Sequence, residues 1–185
     1  MKRTKTKLGP DAWVRAALAA IAREGVRGVR VESLARELGV TKGSFYWHFT
    51  DREALLDAML DTWEHVGTAQ VIERVEATAK TGAERLARLV DIVFATAEVD
   101  RIEAGIRAWA ASDGRASVVL RRTDARRLEY VTDVLVDAGL SRTSARRRAR
   151  ILFLTMIGDF TFRAHGGGGV SRQVRRELVE LLLAP

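Results

Sequence analysis

Gly39 is the residue that most constrains how this chain can fold. It separates two short helical patterns, neither of which is long enough to be stable by itself. Upstream, Leu34, Ala35 and Leu38 fall at helical spacing within Val31–Leu38 and give that segment one apolar face. Downstream, Thr41 stands at an N-cap position, and a second short helix is expected over 42–49. A glycine between them can take the left-handed backbone of a sharp turn. Two short helices joined this way read as a helix-turn-helix, whose second helix lies in the DNA major groove.

The second helix carries its own argument. Phe45 and Phe49 are four residues apart and share one face, which leaves Lys42, Gly43, Ser44, Tyr46, Trp47 and His48 directed elsewhere. Those are donors, a cation and flat rings, the types that meet phosphates, base edges and thymine methyls. Gly43 weakens a helix but lets its backbone come close to another surface. Alone, FYWHF would read as an aromatic core segment. Behind LARELGVTKG the DNA-facing reading is the stronger one.

GVTKGSFYWHFTDREALLDAML resembles the DNA-binding signature of the tetracycline-repressor (TetR) family of bacterial regulators, without a gap from about Val14 to Met59. RIEAGIRAWAASD and DARRLEY are similar to segments of one branch of that family. The resemblance implies that Thr41, Lys42, Gly43, Tyr46, Trp47, His48 and Arg52 lie at the DNA surface, with Phe45 and Phe49 in the core. Where the family often has Ser or Thr capping the first helix of the motif, this chain has Arg30. Arginine cannot cap, but its charge can hold a phosphate.

Charge is distributed as a phosphate-binding surface requires. Met1–Arg52 holds 11 Lys/Arg against 5 Asp/Glu, while the remaining 133 residues hold 20 against 19. A basic tail would account for Lys2, Arg3, Lys5 and Lys7 only. With no cysteine there is neither a disulfide framework nor a thiolate metal site. The basic start and the apolar Ala16–Ala22 imitate a secretory signal, but Asp11 and Arg15 interrupt it. Ile151–Phe162 is too short to span a bilayer, so a cytoplasmic protein is expected.

Read in order, the chain is expected to be all-α. Met1–Leu8 is a basic arm. Gly9-Pro10-Asp11 opens a helix with the stripe Val14, Leu18 and Ile21, which Gly25 closes. Thr50 and Glu53 have capping-box spacing ahead of a helix through Leu55, Met59, Trp63 and Val66, expected to stop at Gly67. Further helices are expected over Leu86–Ala97, Ile102–Trp109, Ala116–Ala138, Ser141–Phe162 and Ser171–Leu183, with Gly166–Gly169 as a hinge. This divides the chain into a DNA-binding domain (residues 1–50, a three-helix unit with a basic arm) and a larger helical effector-binding and dimerisation domain (51–185). Ile151–Phe162 is apolar on nearly all sides and must bury two faces. A homodimer is therefore expected, its last two helices forming a four-helix interface that includes Leu154, Ile157, Val174, Leu178, Leu181 and Leu182.

No catalytic set emerges. His48, His65 and His165 have no metal-ligand spacing, and GGGG lacks the Lys-Ser/Thr of a phosphate loop. Asp91, Asp100 and Glu103 read as charges on exposed helix faces, Asp159 as the partner of Arg163, and Arg107 as the partner of Asp124. Trp63, Phe94, Trp109, Tyr130, Met156 and Phe160 either fill a core or, with Arg107 and Asp159, line a mostly apolar small-molecule cavity. The expected function is a ligand-responsive regulator, a repressor bound to a palindromic double-stranded operator, with no cofactor or metal, no membrane partner and no enzymatic activity. The alternatives are a regulator without small-molecule control and a helical enzyme with an incidental basic face.

Overall fold

The computed structural model describes residues 8–94 and 97–184, with the backbone alone at 97–100. The basic arm up to Lys7 and the side chain of Asp100 therefore lie outside the described residues. Every regular element among them is helical, as expected: α1 (Pro10–Glu24), α2 (Val31–Glu37), α3 (Lys42–Phe45), α4 (Arg52–Glu64), α5 (Gln70–Glu76), α6 (Gly82–Val93), α7 (Ala97–Ala110), α8 (Gly114–Asp137), α9 (Arg142–Ala164) and α10 (Arg172–Leu183).

Local chemistry sets the helix starts. Pro10 opens α1, where a missing N–H costs nothing, and Asp11 sits at the positive end of the helix dipole. Asp51, Asp113, Ser141 and Ser171 cap α4, α8, α9 and α10, each accepting from the backbone N–H three residues on. The capping box expected at Thr50 is instead the single Asp51 cap, with Ala54 N donating over 2.8 Å. The reciprocal box stands at Thr81 and Glu84, ahead of α6.

Two other boundaries differ from expectation. The second helix of the motif is shorter than 42–49: Tyr46–His48 form a turn after Phe45, held by the His48 and Phe49 N–H groups on the Phe45 carbonyl. Gly67 does not stop α4. The chain passes through a π-helical turn, His65–Ala69, straight into α5, an element that the apolar pattern did not announce.

The interior has two parts. The first gathers α1 to α4 around Trp13, Ile21, Leu34, Phe45, Leu56 and Met59, and it takes in Ile106, Trp109 and Ala110 of α7 and Ala116 of α8. Hydrophobic packing thus runs across residue 51 without a break. The second joins α5, α6, α8, α9 and α10 through Val75, Leu86, Leu135, Leu152, Phe153 and Leu182. Helix α7 packs against α1 on one side and against α8 and α9 on the other. Gly105 permits the closest approach, since a Cβ there would stand 2.7 Å from the Ile21 carbonyl oxygen.

Candidate nucleic-acid interface and internal cavity

The reading head is built on Phe45. Its ring is fully buried, edge-on to Trp13 with centroids 5.2 Å apart and stacked near Phe49 at 5.4 Å. Such aromatic contacts add to burial and fix the orientation of α3. Gly39 makes the turn with φ +67°, and Val40 N closes it on the Ala35 carbonyl.

This packing leaves one exposed face. Thr41, Lys42, Gly43, Tyr46 and Trp47 are exposed, Trp47 at 85%. A Cβ on Gly43 would meet nothing closer than 3.8 Å, so the protein's own packing does not call for glycine there. Lys42 Nζ donates to Glu32 Oε1 at 2.5 Å, and that hydrogen bond holds the Glu32 carboxyl below its ordinary range. Arg30 is exposed, makes no side-chain cap on α2, and donates from Nε to the Arg27 carbonyl. Ser44 is half-buried.

Two residues expected at the surface turn inward. Arg52 donates from Nε to the Val29 carbonyl at 2.7 Å and from a terminal nitrogen to the Val26 carbonyl at 2.8 Å. It clamps the segment ahead of α2 against α4. Half-buried His48 donates from Nε2 to the Leu8 carbonyl at 2.9 Å. Both position the head in this structure.

The second site is a cavity of about 190 Å³ walled by the π-helical turn, α5, α6, α8 and α9. Of the residues expected to line it, Tyr130, Met156 and Phe160 do. Trp63 and Trp109 belong to the first core and Phe94 to the packed second core, because periodicity does not say which core a helix face meets. Asp159 is buried in an ion pair with Arg163 at 2.7 Å, off the cavity wall. Arg107 stands behind the wall, bonded to both oxygens of Asp124 at 2.9 and 2.7 Å.

The polar end of the cavity is Glu103 with Arg127, neither of which was expected there. Glu103 is 1% exposed and corrects the reading of that acid as a surface charge. Its Oε1 accepts from Arg107 at 2.9 Å and Arg127 at 3.0 Å, and its Oε2 from Trp63 Nε1 at 2.9 Å. Burial pushes this carboxyl up, but the two guanidinium groups and the indole outweigh it and hold it below the ordinary range. Arg127 also donates to Thr68 Oγ1 at 2.9 Å within the π-helical turn and lies over the Trp63 ring. The i,i+4 spacing of Glu103 and Arg107 is the one sequence signal for this network.

On the outer surfaces of α9 and α10, Ile151, Leu154, Phe162, Val174 and Leu181 are exposed apolar residues. Ile157 and Leu178 are half-buried. Leu182 is 3% exposed inside its own protomer, which removes it from any interface with a second copy. Among the described residues no helix is long and apolar enough to cross a membrane, and no cluster of acidic or histidine side chains could hold a metal ion.

Comparison with known proteins places these features. Residues 14–59 match the family described as bacterial regulatory proteins, tetR family. The class A tetracycline repressor of transposon 1721 from Escherichia coli is 45% identical over 56 residues, 30% of this chain and 26% of that repressor. The chain thus spans about a quarter of the length of this curated relative. A crystal structure described as a TetR-family transcriptional regulator from Rhodococcus is 25% identical, with TM-score 0.69 and coverage of 94% of this chain and 95% of that one. A transcriptional regulator from Saccharomonospora viridis, crystallised with choline, shares the fold at TM-score 0.79 and 18% identity over 95% of both chains. The head thus lies inside the segment that matches the tetR family of bacterial regulatory proteins, and the helical architecture of the whole chain is shared with a solved structure described as a TetR-family regulator.

Proposed function

We propose that the protein is a cytoplasmic transcriptional repressor that binds a palindromic operator as a homodimer and is released by a small apolar or aromatic molecule. The observation that carries this reading is the run of helix joining two sites. Helix α4 follows α3 in the chain and shares its hydrophobic core, and the π-helical turn at its far end forms part of the cavity wall. Residues 1–50 act as the DNA-binding domain and 51–185 as the effector-binding and dimerisation domain. Thr41, Lys42, Gly43, Tyr46 and Trp47 face the major groove, with Ser44 at its edge and Arg30 on a phosphate. The exposed apolar faces of α9 and α10 pair with their copies about a two-fold axis, which sets the two reading heads roughly 34–36 Å apart or at a multiple of that turn.

The crystallised choline complex supports small-molecule control, since it has the same fold. Moving the dimer from 99:1 competent to 1:99 requires about 5.5 kcal/mol of differential binding, within reach of one buried aromatic-sized ligand per subunit. The test is selection of duplexes from a random pool with the full chain, followed by a screen of apolar and aromatic compounds for release. Recovery of one inverted repeat is expected. No enrichment would sink the operator half. No releasing compound would leave a regulator without small-molecule control.

A further inference from the structure

The cavity's polar end has an electrical balance that restricts what enters it. Glu103 and Asp124 carry two negative charges, Arg107 and Arg127 two positive ones, and the four are bonded to one another. A ligand ion bound against these buried groups would add a fifth charge with no partner, which is costly. Arg74, also on the wall, is exposed and stays solvated, so it does not alter the buried balance. A carboxylate offers about four acceptor positions. Oε1 of Glu103 is filled by Arg107 and Arg127, while Oε2 accepts from Trp63 alone, which leaves one acceptor position on Oε2. The cavity, at about 190 Å³, exceeds the roughly 150 Å³ void that takes one benzene, and the rest of its wall is largely apolar.

Resting on the effector reading above, we propose that this cavity selects an uncharged molecule of one or two fused rings bearing a single hydrogen-bond donor. The donor bonds to Glu103, and the Glu103–Arg127–Arg107–Asp124 balance excludes both cations and anions. Charge selectivity therefore resides in these four residues.

Four probes on one skeleton test it by calorimetry on the full chain: 2-naphthylmethanol, 2-methylnaphthalene, 2-naphthoate and 2-naphthylmethylamine. The alcohol is expected to bind several-fold tighter than the hydrocarbon and at least about tenfold tighter than either ion, about 1.4 kcal/mol. Glu103→Gln leaves a net positive cluster and should move the ratio of naphthoate to amine affinity toward naphthoate by about tenfold. Arg127→Gln leaves a net negative one and should move it the other way. Either variant suffices where the other fails to fold, and the wild-type ranking decides the matter where both fail. An ion binding as tightly as the alcohol, or a variant that leaves the ratio unchanged, would overturn the charge-balance inference and leave the effector cavity standing. Binding by none of the four would overturn this inference and the effector reading together.

Discussion

Between Trp13 and Leu60 every buried side chain is apolar or aromatic, whereas beyond Trp63 the described interior also holds Thr68, Glu103, Thr123, Thr132 and Asp159. The reading head keeps its polar chemistry outside, on Lys42, Tyr46 and their neighbours, and uses its interior only to fix their positions. The second half keeps polar groups inside, and two of them, Glu103 and Thr68, are linked through Arg127 at the end of a cavity. A surface that must meet a charged polymer is best carried by a rigid, dry support. Buried polar groups, in contrast, need partners that are already arranged around them.

Breaking the dry support should have the largest effect. Phe45→Ala is expected to destabilise the head by about 3–5 kcal/mol and abolish duplex binding, while the second half keeps its structure. Urea unfolding followed by circular dichroism, with hydrogen exchange to locate the loss, would check this.

The interior with polar groups should be sensitive to acid where the apolar one is not. Glu103 is held below its ordinary value of 4.5 in the folded chain, so its contribution is present above about pH 4.5 and lost as pH falls through the folded value. Glu103→Leu should cost about 3 kcal/mol at pH 7, since it leaves two buried guanidinium groups short of a partner. That cost should shrink at pH 3.5. In the head, the Glu32 carboxyl is also held low but is fully exposed, so no matching acid loss is expected there. Urea midpoints of wild type and variant at both pH values would decide it.

Adjacent leucines on α10 sharpen the comparison. Leu181 is 72% exposed and Leu182 3%. Leu181→Glu should give a folded monomer by sedimentation, whereas Leu182→Glu should unfold the second half. The smallest effect is expected at the paired surface charges. Lys42→Ala should weaken binding to all duplexes and reduce the salt slope by about one unit. Glu32→Gln should tighten binding about 1.5- to 5-fold, the fold-change of a released surface pair worth roughly 0.2–1 kcal/mol. Fluorescence anisotropy against salt measures both.

The two halves also differ in how far their sequence discloses them. The turn at Gly39, the shared face of Phe45 and Phe49, and most helix starts depend on residues within a few positions of one another, and local patterns carry that information. The pairing of Asp159 with Arg163 is local for the same reason. Trp109 is different: it sits on an apolar stripe that fits either core, and only the crossing of α7 over α1 sends it to the first. Glu103 meets Arg127 from 24 positions away and Trp63 from 40. The π-helical turn arises around Gly67, which alone reads as a stop, because packing on both sides carries the helix through it.

Gly105 has a consequence for how freely this protein can change. At the crossing of α7 and α1 the opposing atom is the main-chain oxygen of Ile21, which every amino acid possesses. The close approach is therefore intolerant of any side chain at position 105, where a Cβ would also stand 3.1 Å from the buried Ile21 side chain. A single methyl group at position 105 would force the two helices apart, so the fit between the halves depends on the absence of one carbon atom.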